Sequence, residues 1–305
     1  MKKYHITNKK IKIDNNWIQI SSIDDISVSD INNSLFTLSF DADDEYLYHI
    51  EKIIDNGGKF EGKRKYSKRC FYHANRNTQL AINKTQMIAN ESKIMEFKPP
   101  QKLMTDRLSA GQLVHSNICQ VIEQTKLISG DYVEIGVFRG SCAATALNYM
   151  NMANIKRKAY FLDTYDGFNY EASKKSADVM WNETHKVANT PEEHIKQLSS
   201  DFSKNFPNND YKFVKSNICK DSLPREVTSI AVANIDVDLY DATLSALIKV
   251  DPLMRVGGII ICEDPTSTPA CIGAFAAMEN FLKTKARSHY MKINAIGQYF
   301  LIKIK

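Results

Sequence analysis

No apolar run in the chain approaches the ~20 residues that a membrane-spanning helix needs, and the first ten residues, MKKYHITNKK, are polar. The sequence therefore predicts neither a membrane span nor a secretory leader, and the expected compartment is the cytoplasm. No C-x-x-C pair occurs among the cysteines at 70, 119, 142, 219, 262 and 271. That argues against a zinc ribbon or a small disulfide framework and in favour of reduced, buried thiols. Internal repeats and low-complexity tracts are also missing, which excludes solenoids and disordered arrays. Charge of one sign is scarce too: 40 basic residues against 35 acidic ones leave a net +5, too mild an excess to point to a nucleic-acid partner.

What is present is ordinary globular material. The 305 residues are 43% hydrophobic and 25% charged, enough for one large α/β domain and a smaller unit. Residues 1–98 carry short alternating runs, 11–20 and 35–40, separated by Asn, Asp and Gly clusters. This reads as hairpins in a small β-rich or α+β domain. Asn56-Gly57-Gly58 is read as a hairpin turn, and after it Lys59, Lys63, Arg64, Lys65, Lys68 and Arg69 interleave with Phe60 and Tyr66. Such a face suits phosphate or acidic glycan, although a solvated hairpin face has the same composition. Pro99 and Pro100 mark a boundary, because paired prolines resist both helix and central strand. The second domain is expected over residues 101–305.

In that second part, residues 107–127 place Leu113, Ile118, Val121 and Ile122 at helical spacing. Strand-like runs follow at 132–135, 158–162, 211–215, 230–235 and 258–262, mostly separated by helix-like stretches. Strands alternating with helices predict a parallel sheet covered on both faces. Residues 289–293 and 298–304, joined by a turn at 294–297, read as a closing antiparallel hairpin.

The chemistry gathers at strand ends. Glu134-Ile-Gly136-Val-Phe-Arg139-Gly140-Ser141 stands where the first strand of this part gives way to a helix. Glycines there let backbone approach a ligand, and the helix N-terminus offers free N–H groups. The spacing departs from G-x-G-x-x-G, which disfavours a dinucleotide. A zwitterionic amino-acid tail fits better, with Glu134 near an ammonium and the N–H groups near a carboxylate, while a plain strand-to-helix turn would use the same glycines. Asp163 ends the second strand, where a carboxylate can accept hydrogen bonds from ribose hydroxyls; Asp166 and Gly167, just beyond, also suit a simple turn. Asp236 and Asp238 flank one residue after a third strand, and Glu263 and Asp264 end a fourth. Four acids on neighbouring strand ends repel unless a cation or protons intervene, and hard oxygen ligands suit Mg²⁺. Alternatively, Asp238 or Asp241 caps the helix over 243–250.

The segments GDYVEIGVFRGSCA (130–143), FLDTYDGF (161–168), TPEEHIKQL (190–198), SNICKDSLP (216–224), NIDVDLYDAT (234–243) and GGIIICEDP (257–265) resemble, in order, the motifs of the macrocin O-methyltransferase family over roughly residues 103–282. The resemblance implies a Rossmann-like class I methyltransferase, a mainly parallel seven-stranded sheet with a C-terminal antiparallel hairpin. It also implies an S-adenosylmethionine-dependent, Mg²⁺-assisted O-methyltransferase acting on a sugar hydroxyl of a glycan, nucleotide sugar or natural-product glycoside. Carried over residue by residue, Asp236, Glu263 and Asp264 match metal ligands, Asp238 the base, and Glu134, Gly136 and Asp163 cofactor contacts. Arg139, Gly140, Ser141 and Asp236 complete the expected cofactor set. Glu263 stands where the family usually has Asp, and Pro265 where an aromatic is frequent. The segment 169–189 is expected to close over the reactants, with His185 a second candidate base and Tyr170 and Trp181 candidates to stack on a sugar. The expected partner is a small-molecule or glycan acceptor, with no nucleic acid, no membrane, and homo-oligomerisation neither required nor excluded. Rival readings are a catechol-type O-methyltransferase, which shares fold and metal, and a methyltransferase-fold scaffold without catalysis.

Overall fold

The computed structural model describes residues 2–7, 16–39, 43–60, 112–175, 178, 181–188, 190–263, 272–295 and 298–305. The chain divides into two compact units, Met1–Asp106 and Arg107–Lys305. No helix among the described residues is long and apolar enough to cross a membrane.

The first unit runs β1 (Lys2–Thr7), β2 (Ile18–Ile20), α1 (Val28–Asn32), β3 (Ser34–Ser39), α2 (Asp43–Asp55) and β4 (Lys59–Phe60). Its sheet has the order β2-β1-β3-β4, and every pairing is parallel. Hairpins, expected from the alternating runs, are therefore not how these strands pair. Burial gives the reason: Tyr4, His5, Ile6 and Thr7 are all buried, as are Phe36, Thr37 and Leu38, so β1 and β3 are covered on both faces, as parallel strands are. The two polar members are matched to each other, His5 Nδ1 and Thr37 Oγ1 lying 2.7 Å apart. Asn56-Gly57-Gly58 ends α2 instead of turning a hairpin. Gly57 is left-handed (φ +72), and the N–H groups of Gly57 and Gly58 donate to the carbonyls of Ile54 and Ile53, which is the Schellman helix stop. Of the basic stretch, Lys59 and Phe60 form β4 and residues 61–69 lie outside the described residues, as do Pro99 and Pro100.

The second unit runs α3 (Gln112–Gln124), β5 (Asp131–Ile135), α4 (Ser141–Met152), β6 (Ala159–Asp163), α5 (Glu171–Lys175), α6 (Pro191–Asn205), β7 (Tyr211–Lys215), β8 (Ile230–Ile235), α7 (Tyr240–Val250), β9 (Met254–Cys262), α8 (Ile272–Lys283), β10 (Tyr290–Ala295) and β11 (Gln298–Lys303). Its seven strands lie in the order β10-β11-β9-β8-β5-β6-β7. β5 to β9 are parallel, and β10 and β11 form the expected antiparallel hairpin. All six residues of β8 are buried, which explains why the run is apolar except at Asn234. Tyr132, Phe161, Val232 and Ile261 pack with Ile118, Val121 and Leu147 of α3 and α4 in one core. Pro191 at the first position of α6 and the reciprocal Thr190–Glu193 capping box fix where that helix starts. After β5 the sheet grows first to one side, through β6 and β7, and then to the other, through β8 and β9. Ligands of open α/β sheets bind at such a reversal, beyond the carboxyl ends of the strands.

Candidate active site

At that reversal the second unit holds a cavity of about 300 Å³, lined by residues that include Gly136, Ser141, Cys142, Asp163, Tyr170, His185, His194, Asp236, Asp238 and Glu263. The volume is at the lower end of small-molecule sites.

The floor is built by the turn after β5. Gly136 has φ +93, and a Cβ there would sit 1.7 Å from the Asp236 carbonyl oxygen, so the ends of β5 and β8 approach closely only with glycine. Gly140 (φ +77) is the N-cap of α4 and provides no side-chain cap, leaving the helix N-terminus, with Ser141 and Cys142, turned to the cavity. The N–H groups of a helix start and the helix dipole favour an anion there. Arg139 is exposed and lies over the Phe138 ring at 5.0 Å; neither it nor Gly140 lines the cavity.

Two expected cofactor contacts sit differently from the sequence reading. Glu134 is fully buried and is not on the cavity lining. Its Oε2 accepts from the Tyr132 hydroxyl at 2.8 Å, and burial, with Asp236 adding to it, pushes its carboxyl up to about 8. Burial thus favours the neutral acid over the carboxylate. The reason is strand alternation: Tyr132 and Glu134 share one face of β5, and Tyr132 packs in the core with residues of α4. Asp163 does line the cavity, but Oδ2 accepts from Val137 N (2.7 Å) and Phe138 N (2.9 Å) and Oδ1 from Tyr165 N (2.8 Å). Asp163 thus holds the glycine turn in shape as well as facing the ligand space. Asp166 accepts from Asn169 Nδ2 at 3.0 Å and lies 3.9 Å from Lys186 Nζ, in keeping with its turn reading.

Asp236 and Glu263 follow β8 and β9, and their backbone N–H groups donate to Ile135 and Ile235 carbonyls at 2.9 and 3.1 Å, which sets the two acids side by side. One potential ligand atom from each of Asp236, Glu263 and Cys142 lies within 4.8 Å of the others. Cys142 is a member the sequence did not reveal; on a helix it reads as one more buried thiol. Burial, then the Glu263 and Glu134 carboxyls, push its thiol well up, and the two carboxylates beside it are oxygen ligands of the kind a hard cation takes. Asp264, the third expected ligand, lies outside the described residues, as does Pro265. Asp238 lines the same cavity.

On the opposite wall, His185 packs with Phe138, Phe168 and Trp181 at ring-centroid distances of 5.3, 5.1 and 5.5 Å. Its Nδ1 lies 2.8 Å from Thr184 Oγ1, and desolvation lowers its pKa. Tyr170 lines the cavity whereas Trp181 does not. Reasoning from sequence also missed His194, buried on α6 and part of the lining; its position on a core-facing stripe gives no signal that separates it from packing.

The sequence profile of the macrocin-O-methyltransferase (TylF) family matches residues 43–301. This reaches back well before residue 103, into the first unit. The demethyldecarbamoylnovobiocin O-methyltransferase of Streptomyces niveus is 27% identical over 170 residues, 51% of this chain and 61% of the relative. The 8-demethyl-8-(2,3-dimethoxy-alpha-L-rhamnosyl)-tetracenomycin-C 4′-O-methyltransferase of Streptomyces olivaceus is 26% identical over 142 residues, 45% of this chain and 53% of the relative. The matches thus span less than two thirds of either relative. Among solved structures, the O-methyltransferase NovP superposes with a TM-score of 0.53 at 21% identity, covering 64% of this chain and 81% of NovP. The calicheamicin methyltransferase CalS11 gives 0.52 at 19%, covering 72% and 90%. The fold is therefore that of class I methyltransferases, and with its family profile matched from residue 43 to residue 301 the chain belongs to the macrocin-O-methyltransferase (TylF) family.

Proposed function

We propose that this protein transfers a methyl group from S-adenosylmethionine to a sugar hydroxyl, assisted by a divalent cation such as Mg²⁺. The observation that carries the reading is the meeting, in one cavity, of the side-chain-free turn at Gly136, the N-terminus of α4 at Ser141 and Cys142, and the carboxylates Asp236, Asp238 and Glu263. Family membership adds the reaction class. The Streptomyces olivaceus relative, whose name gives a rhamnosyl-bearing acceptor, supports a sugar as the substrate.

When bound, S-adenosylmethionine supplies an electrophilic methyl on a sulfonium, and the cation a Lewis acid that lowers the acceptor hydroxyl's pKa. The remaining work belongs to the chain. Gly136 would admit the amino-acid tail, the N–H groups at the start of α4 would receive its carboxylate, and Asp163, which fixes the turn, would accept from the ribose hydroxyls. Asp236 and Glu263, with Asp264, would hold the cation. Asp238 accepts the hydroxyl proton as the new O–C bond forms, the C–S bond breaks and its electron pair returns to sulfur. His185 is the second candidate base, with desolvation favouring its neutral imidazole. Much of the rate comes from holding donor and acceptor in line.

Isothermal titration of S-adenosylmethionine into the folded protein, with and without Mg²⁺ and with Asp163→Ala as control, tests the reading. Micromolar binding weakened at least tenfold by the substitution is expected, followed by methyl transfer to nucleotide sugars or glycosides. Transfer to catechols alone would replace the sugar acceptor by the runner-up, and absence of binding by folded protein would overturn the reading.

A further inference from the structure

The proposed base stands in an unusual stretch of backbone. Asp238 has φ +58, and the Leu239 N–H donates back to the Val237 carbonyl at 2.5 Å. A three-residue turn closed in this way around a left-handed, non-glycine residue is rare and strained, and it persists only where its surroundings hold it. Helix α7 begins immediately afterwards, and its N-cap residue, Leu239, provides no side-chain cap.

The missing cap comes from a distant part of the chain. Asp178, fully buried, accepts from the Tyr240 N–H at 3.0 Å through Oδ2 and from the Gly273 N–H at 3.2 Å through Oδ1. One carboxylate therefore serves the first turns of both α7 and α8, where N–H groups and helix dipoles favour negative charge. Gly273 is shaped around it: a Cβ there would lie 1.9 Å from Asp178 Oδ2. Asp178 belongs to the loop that carries the aromatic wall of the cavity. The stem of that loop is closed by Phe168, whose N–H donates to Thr184 O and whose carbonyl accepts from Glu183 N–H. Helix α8 is joined to α7 a second time by Asn280 Nδ2 donating to the Tyr240 hydroxyl at 3.0 Å.

We propose that Asp178 is a positioning residue for methyl transfer, a buried latch that ties the aromatic loop to the N-termini of α7 and α8 and thereby holds the strained Asp238 turn in its reactive geometry. The latch couples the two walls of the site: the loop seats only when its carboxylate is received, and the Asp238 turn is held only when the loop is seated. This rests on the methyltransferase reading for its kinetic consequences, while the contact itself can be read without them.

The test uses the full-length protein and the variants Asp178→Asn, Asp178→Ala, Gly273→Ala and the Asp178→Ala/Gly273→Ala pair. Asp178→Asn is expected to lower kcat about tenfold or more with KM for S-adenosylmethionine within about twofold, and Gly273→Ala to reproduce that loss by expelling the carboxylate. The double variant is expected to be no slower than Asp178→Ala alone, since no carboxylate remains to be displaced. In parallel, amide hydrogen exchange of the Tyr240 and Gly273 N–H groups and of residues 181–188 should accelerate together in the three single variants while the β5 and β8 amides keep their protection. Multiplying losses in the double variant, unchanged kcat in Asp178→Asn, or exchange at Tyr240 that ignores the loss of Asp178 would each overturn the proposal. Should the wild-type protein transfer no methyl group, the methyltransferase reading fails and the exchange arm still decides whether the latch exists.

Discussion

Replacing Glu134 by Gln is expected to stabilise the second unit, and by more the higher the pH. Burial at the start of the site moves the Glu134 carboxyl from 4.5 to about 8. Between those values an unfolded chain gives up the proton and the folded one retains it. Folding is then opposed by the ionisation of the unfolded state, and stability falls as pH rises, at about 1.4 kcal/mol per pH unit. At pH 7 the interval is about 2.5 units, so the cost is about 3 kcal/mol; below pH 4.5 both states are protonated and it vanishes. Gln is neutral, has the same shape, and can still accept the Tyr132 hydroxyl through its amide oxygen. The chain has two tryptophans, so urea titration followed by Trp181 fluorescence in a Trp17→Phe background reports on the second unit. In EDTA, the two proteins should match near pH 4.5 and differ by about 3 kcal/mol at pH 7. Added Mg²⁺, by neutralising the neighbouring Asp236, should shrink the difference. A difference that does not grow with pH would refute the reasoning and mean that Glu134 ionises inside the fold.

Gly136→Ala should weaken S-adenosylmethionine binding more than tenfold in calorimetry and destabilise the second unit by roughly 2–4 kcal/mol, because the added Cβ meets the Asp236 carbonyl oxygen at 1.7 Å in a left-handed backbone. The first unit should lose stability in acid. Burial holds the His5 imidazole down to about 4 from 6.5, so as pH falls through that window the unfolded chain takes up a proton that the folded one refuses. Stability is complete above pH 6.5 and drops by about 3 kcal/mol by pH 4. Trp17 fluorescence in a Trp181→Phe background should show that slope, and His5→Gln, which cannot titrate, should flatten it, leaving the smaller share of His49, whose imidazole burial also lowers.

The legible part of the fold was the part where pattern and pairing coincide. Residues 211–215 and 230–235, read as strands from their sequence, are β7 and β8, and the terminal hairpin closes the sheet as expected. In the first unit the alternating runs located β3 but misled about its partners, since a period of two marks a strand without saying which way its neighbour runs. Asn56-Gly57-Gly58 shows the same limit: a left-handed glycine serves a hairpin or a helix stop equally well, and only the preceding helix decides.

Sequence alone determined that Asp163, Asp236, Asp238 and Glu263 share the site's edge, because in a parallel α/β sheet the carboxyl ends of the strands fall on one rim and all four stand at or just beyond those ends. It could not determine what each of them does there. Whether Glu134 carries a charge depends on the face of β5 it occupies and on the packing of Tyr132. That Cys142 adjoins the carboxylates depends on how α4 leaves the turn, and that Asp178 caps two helices depends on contacts 62 and 95 residues away in the chain. Those are long-range distances and desolvation, quantities that exist only once the chain is folded.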